Sequence, residues 1–315
     1  MFELNWSEQK IYDLLRNDGL SGLLEARRRV MQELDAEGSV LSADSCHIGQ
    51  DSLKRIESIL TDKIRNAGAL FLICSAVTHQ PLIECFNETD DFRTYLFSSV
   101  EKAEAYRKQR LAAGYDTTIV EVITGKKRAE FYTALMLAGV NFIMLDPNEN
   151  SFLFPIQMVT VIPSYDGFSG LKNPLQNRRL NALLNDYCQR AEAGAMTHEF
   201  ETIMLKALKE AYFIAPIHGA EDVDTGEHKE ISFNYLIGQQ ENEEGIQQLI
   251  GFAFTDNFQM EDWQRQHGYS EQGAICTFAG LFDVLCTYRL KYFILNAGTH
   301  ALILDSTAFA KIQNL

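Results

Sequence analysis

The sequence predicts a mixed α/β fold, an α+β arrangement of two related units, each with leading helices and a mixed sheet packed by helices. Three observations predict it. An apolar run, a polar turn and a second apolar run occur twice, as NFIMLDPNENSFLF at 141–154 and YFILNAGTHALIL at 292–304. Strand-like and helix-like periodicities alternate before each of these hairpins, the pattern of strand–helix–strand units with at least one parallel crossover. The landmarks Phe97-Ser98 and Tyr106 match Phe254-Thr255 and Trp263 at an offset of 157, whereas the turns match at 150, so the first copy is longer by 157 − 150, or seven residues.

Residues 9–65 read as helical. Leu20, Leu23, Leu24, Val30, Met31 and Leu34 form one apolar stripe with Arg27 at its edge, and GSVLSADSCHIGQ reads as a loop. A second helix is expected from an N-cap at Asp51 or Ser52, with Leu53, Ile56, Leu60 and Ile64 on one face. ALFLICSAV and PLIECFNET read as a strand pair, with TYLFSS as a third strand. VEKAEAYRKQRLAAG is a helix closed by Gly114, TTIVEVI a strand, and KKRAEFYTALMLAG a helix closed by Gly139. PSYDGFSGLKNP, residues 163–174, has linker composition and no periodicity. Beyond it come the helices RRLNALLNDYCQRAEA and THEFETIMLKALKEA, the latter capped by Thr197. Strands YFIAPI, ISFNYLIG and LIGFAF follow, then helix MEDWQRQHG, strand AICTF and helix LFDVLCTYRL. The organisation is therefore 1–163 with a core at 66–163, a linker at 164–178, and 179–315 with a core at 212–315.

The two turns share a logic. Asp146, Pro147 and Asn148 supply a side-chain acceptor, a fixed φ and a residue tolerant of positive φ. Asn296, Ala297 and Gly298 fill comparable roles, with Gly298 in the left-handed position, so a β-branched residue should cost more at 298 than at 297. GFAFTDNFQMEDW and YFILNAGTHALIL resemble the SseB N-terminal domain family, in which a strand leads to a Phe-Thr-Ser/Asp step and a helix, and later to an Asn-Pro-Gly-like turn. The resemblance covers 212–315 well and 66–163 more weakly. Ala297 stands where Pro is usual, and Asp146 and Asn148 stand where Asn and Gly are usual. The resemblance implies a bacterial protein from a family without established enzymatic activity, named for a serine-sensitivity phenotype.

Composition narrows the function classes. A formal charge of −15 argues against nucleic acid and against an anionic membrane surface, both of which need Lys and Arg. The start, MFELNWSEQK, lacks the basic and apolar regions of a signal peptide, and no apolar run is long enough to span a bilayer, so the expectation is a cytoplasmic protein. Cysteines at 46, 74, 85, 188, 276 and 286 include no CxxC pair and read as reduced. Cys74, Cys276 and Cys286 sit in apolar contexts and read as small hydrophobes.

Candidate chemistry is sparse. His218, Glu221, Asp222, Asp224 and His228, in a polar loop, could hold a divalent cation through mixed nitrogen and oxygen ligands, although the spacing fits no standard motif. Thr124-Gly125-Lys126-Lys127-Arg128 opens a helix and could attract an anion, but Val120 occupies the place of a P-loop's first glycine. Cys46 and His47 adjoin, yet sequence neighbours rarely form a nucleophile–base pair. His198-Glu199 does not extend to HExxH. Ser98-Ser99 and Thr255-Asp256 read as helix caps, and Tyr106 and Trp263 as packing residues. No catalytic residue, cofactor or metal is assigned. The expectation is a non-catalytic protein-interaction or regulatory module with a protein partner, compatible with a homodimer. The alternative is an enzyme or small-ligand binder with its site in the groove between the units.

Overall fold

A computed structural model describes residues 8–37, 43–66, 69–86, 91–122, 126–147, 150–160, 175–224, 229–269, 272–299 and 301–315. The mixed α/β fold is as read, with leading helices α1 (Glu8–Glu37) and α2 (Ala43–Asn66). α1 bends at Gly19, whose φ of 62° and ψ of −146° leave the helical region. α2 begins earlier than the sequence suggested: 43–50 is helix rather than loop, and Asp51 and Ser52 lie inside it rather than at a cap. The reason is packing. Gly49, Ser52 and Ile56 form a buried stripe whose first members are small, extending the face that Ile56, Leu60 and Ile64 present to the core.

The first sheet contains β1 (Leu70–Ser75), β2 (Glu84–Cys85), β3 (Phe92–Phe97), β4 (Thr117–Val122), β5 (Phe142–Leu145) and β6 (Phe152–Pro155), in the order β4-β1-β3-β5-β6 with β2 also on β3. β3 and β5 are parallel and every other pairing is antiparallel. PLIECFNET does not pair with β1 as a full strand. β1 is flanked by β3 and β4 and meets that segment at a Cys74–Pro81 bridge, where Leu82 N donates to Ile73 O at 2.9 Å, before the segment leaves β1 to add β2 to β3. α3 (Val100–Ala112) and α4 (Lys126–Leu137) lie in the crossover, ending at left-handed Gly114 and Gly139.

After α5 (Arg178–Glu192) and α6 (His198–Glu210), the second unit builds β7 (Tyr212–Asp224), β8 (Lys229–Tyr235), β9 (Ile237–Glu241), β10 (Gln247–Ala253), α7 (Asn257–His267), β11 (Gln272–Thr277), α8 (Phe278–Thr287), β12 (Tyr292–Leu295) and β13 (Leu302–Asp305). Sheets β11-β7-β8 and β13-β12-β10-β9 meet at an Ile214–Phe254 bridge. Read across that bridge, β11-β7-β10-β12-β13 repeats the first unit's order, with β10 and β12 parallel. The acidic stretch read as a loop is strand instead, because β7 runs through Glu221, Asp222 and Asp224 in register with β8. A last helix, α9 (Ser306–Gln313), is capped by Asp305, which accepts from Ala308 N at 2.8 Å, and buries Phe309 and Ile312.

One main core lies between the helical layers and the inner faces of both sheets. Each outer face carries a smaller core under one helix. The Tyr106 ring of α3 packs tilted against Tyr95 and Phe97 at 4.9 and 5.3 Å. The Trp263 ring of α7 packs tilted against Phe252 and Phe254 at 5.0 and 5.3 Å. All three positions differ by 157, so the ring cluster is repeated residue for residue.

Candidate functional site

Each unit places its polar residues where the strand ending before α3 or α7 meets the turn after its parallel neighbour. Asp146 and Asn296 hold φ of 48° and 54°, left-handed values that Asp and Asn tolerate better than other side chains. That conformation turns each side chain back across the sheet. Asp146 Oδ1 accepts from Ser98 N at 2.9 Å, and Asn296 Oδ1 accepts from Thr255 N at 2.9 Å. The main chains agree too: Asp146 N donates to Leu96 O and Asn296 N to Ala253 O, both at 2.9 Å. The acceptor role read for the turn is therefore real, but its donor comes from the neighbouring strand's end. Gly298 is left-handed at φ 95°, while Asn148 lies outside the described residues.

Beyond this shared bond the units diverge. In the first, Asp146 is 3% exposed, and its Oδ2 accepts from Ser98 Oγ at 2.7 Å and from Lys102 Nζ at 2.6 Å. Lys102 also donates to Ser98 Oγ at 2.9 Å and to Ser21 Oγ at 3.1 Å. Lys102 thus ties the start of α3 to both Ser98 and Asp146, and the contact holds the turn. In the second unit, position 102 corresponds to Gln259, which accepts from Thr299 Oγ1 of the turn at 2.9 Å. A charged pair in one copy is replaced by neutral amides and hydroxyls in the other.

Ser99 and Asp256 cap their helices as read, accepting from Lys102 N at 3.4 Å and Gln259 N at 2.9 Å. Asp256 also accepts from Asn181 Nδ2, while Thr255 Oγ1 donates to Asn181 Oδ1. Burial pushes the Asp256 carboxyl above its ordinary range, against the hydrogen bonds from Asn181 and the α7 backbone.

α5 was missed as a polar element. Asn181, Asn185, Asp186 and Gln189, at i, i+4, i+5 and i+8, are all at most 2% exposed. Asn185 Nδ2 donates to Pro81 O at 2.9 Å, and Asp186 Oδ2 accepts from Cys85 N at 2.9 Å and its Oδ1 from Arg190 Nε at 2.8 Å. Burial raises the Asp186 carboxyl, opposed by Arg190 and the Cys85 amide. The signal was visible as a stripe of Asn, Asp and Gln at helical spacing, which sequence alone cannot tell from a solvated face.

The other sequence candidates are not brought together. His218 is exposed on β7, the side chains of Glu221, Asp222 and Asp224 lie outside the described set, and so does His228. Among the described residues no group of three or more His, Cys, Asp or Glu is placed to hold a metal ion. Thr124 and Gly125 lie outside the described residues. Arg128, read with the anion loop, is buried and donates to the α2 carbonyl of Ile64 at 3.4 Å, pointing inward because it closes the end of α2. Cys46 and His47 stand on α2, where successive residues diverge around the helix, and His198 and Glu199 are exposed at the start of α6. Cys74 and Cys276 are buried as read, and burial pushes Cys74 up to about 11; Cys286 is exposed instead, because it falls on the outer side of α8.

A shallow cavity of about 410 Å³ opens beside the α5 N-terminus, lined by Gln176, Asn177, Arg178, Arg179, Ala207 and Glu210 among others. Asn177 turns away from capping α5 and donates to Tyr212 O at 2.5 Å and Thr255 O at 2.7 Å. No helix among the described residues is long and apolar enough to cross a membrane. Comparison with known proteins returned no matching family model, no matching curated protein and no matching solved structure.

Proposed function

We propose that the chain is a non-catalytic protein-binding module of the bacterial cytoplasm, a tandem SseB-like protein acting on a protein partner. The observation that carries this reading is a repeated exposed position. Leu153 on β6 and Ile303 on β13 are 36% and 57% exposed, each at the centre of its unit's edge strand and each paired with an apolar neighbour, Met144 or Ile294. The polar side chains at the same junctions are consumed in holding turns and helix caps, which leaves them little freedom for chemistry. An edge strand with an apolar outward residue can receive an extended segment or another sheet edge. The acidic balance of −15 suits a basic partner.

The test is a pull-down of tagged protein from lysate of its own host at rising salt, run beside Leu153→Asp and Ile303→Asp variants. A stoichiometric partner lost on substitution supports the reading. A partner retained by the double variant, or none at all, sinks it. The cavity beside Arg178 and Arg179 favours a second reading, an acidic small-molecule binder, which native mass spectrometry of the purified protein would reveal as a retained mass.

A further inference from the structure

We infer that α5 couples the two units into one cooperative body, so that an event on one unit is felt by the other. By sequence α5 leads the second unit, yet it is bonded to both. At its start, Asn177 and Asn181 hold the second unit's strand–helix junction through Thr255 and Asp256. Along the rest of its length its polar stripe is bonded to the first unit, while Arg190 also lies over the Phe200 ring of α6 at 4.2 Å. Asn185 and Gln189 donate to Pro81 O at 2.9 and 3.3 Å, and Asp186 and Arg190 take the Cys85 N–H and carbonyl. Asn181 Nδ2 also reaches Leu137 O at 3.4 Å.

Two helix ends of the first unit are shaped for this contact. A Cβ on Gly139, after α4, would overlap the Arg178 carbonyl oxygen and crowd Ala182, and one on Gly114, after α3, would lie 2.9 Å from Ala193 O. Backbone therefore meets backbone at both ends of α5. The interface is specific as well as apolar. Leu180, Ala182, Leu183 and Leu184 enter the main core, while the polar stripe satisfies main-chain groups of Pro81 and Cys85 that burial would otherwise strand. Losing any of these bonds leaves buried polar groups on both sides, so the halves gain little by separating. By linkage, a ligand that stabilises one unit raises the stability of the whole.

The test uses the full chain in a Trp6→Phe background, leaving Trp263, in the small core on the second unit's outer face, as the single tryptophan. Asn185→Ala combined with Gln189→Ala removes contacts to the first unit alone. Urea unfolding is followed by Trp263 fluorescence and by far-ultraviolet circular dichroism. The expected result is one coincident transition in both proteins, with the unfolding constant raised roughly ten- to a hundredfold in the variant for both probes. A Trp263 midpoint that stays put, or two separated transitions in the parent, overturns the inference. If the double variant does not fold, Asn185→Ala alone and the coincidence of probes in the parent decide the matter by the same criteria.

Discussion

The exchange of a charged pair for neutral groups between the units makes a sharp prediction. Asp146 accepts from Ser98 N, Ser98 Oγ and Lys102 Nζ, and its side chain is 4% exposed while that of Lys102 is 35% exposed. Asp146→Asn keeps an oxygen for Ser98 N and keeps tolerance of positive φ, so the loss is confined to the charge and to the Oδ2 acceptor that Ser98 Oγ and Lys102 Nζ share. A charge-assisted bond in a buried site is worth about 1.5–3 kcal/mol, and an exposed ion pair about 0–1 kcal/mol. With one partner buried and the other a third exposed, the single substitution should cost about 1–2 kcal/mol. Lys102→Gln should cost a similar amount, because it leaves a buried carboxylate without its cation. The double substitution installs the residue types of the second unit, so it should cost less than the sum by about 1 kcal/mol. Urea unfolding of the four proteins measures this coupling. Costs that add to within about 0.3 kcal/mol would show that the pair is incidental and that the correspondence between the turns carries no energy.

Three further outcomes follow from the same geometry. Gly298→Val should destabilise more than Ala297→Val, by about 1 kcal/mol or more, since residue 298 holds φ 95° and a side chain there meets Gln266 at 3.3 Å; thermal melts ranking them the other way would remove the turn assignment. Asp256→Ala should cost about 2–4 kcal/mol, the sum of a lost cap and a stranded Asn181 amide, whereas Asp256→Asn should cost far less. The raised carboxyl means the native state binds the proton more tightly than the unfolded chain, so this group's contribution to stability falls as pH rises through its folded value. Asp256→Asn should flatten that part of the stability–pH curve, and an unchanged curve counts against it. In the native protein at neutral pH, Cys286 should alkylate well before Cys74 and Cys188, both pushed up to about 11 by burial, as peptide mapping after brief labelling would show.

Local signals carried much of the fold. Positive-φ residues, caps at Thr197 and Asp256, and the apolar runs at 142–145 and 292–295 are set by neighbours in the chain, so the hairpins, most helices and the two-unit plan were legible. What failed depended on distant partners. The start of α2 is decided by its small-residue stripe against the core, and β7 extends through the acidic and small residues from Gly219 to Asp224 because β8 pairs with it, overriding low strand propensity. Cys286 looked apolar by its neighbours and is exposed because of where α8 turns.

The junction residues show the same boundary inside a single site. Ser98 and Thr255, and Asp146 and Asn296, could be aligned from sequence because the repeat places the first pair at an offset of 157 and the second at 150. Their bonds could not, since the donor lies 48 residues away in one copy and 41 in the other. The pairing of Lys102 with Asp146 is also hidden in sequence, where it looks like one more surface lysine on a helix. Only the comparison of the two units separates what the fold requires, an oxygen facing the strand's last N–H, from what each copy has chosen freely, a charge or an amide. A requirement met in both units while the charge beside it differs is the mark of a structural constraint, and it is the physical reason for seeking this protein's function on its exposed edges and not at its most polar residues.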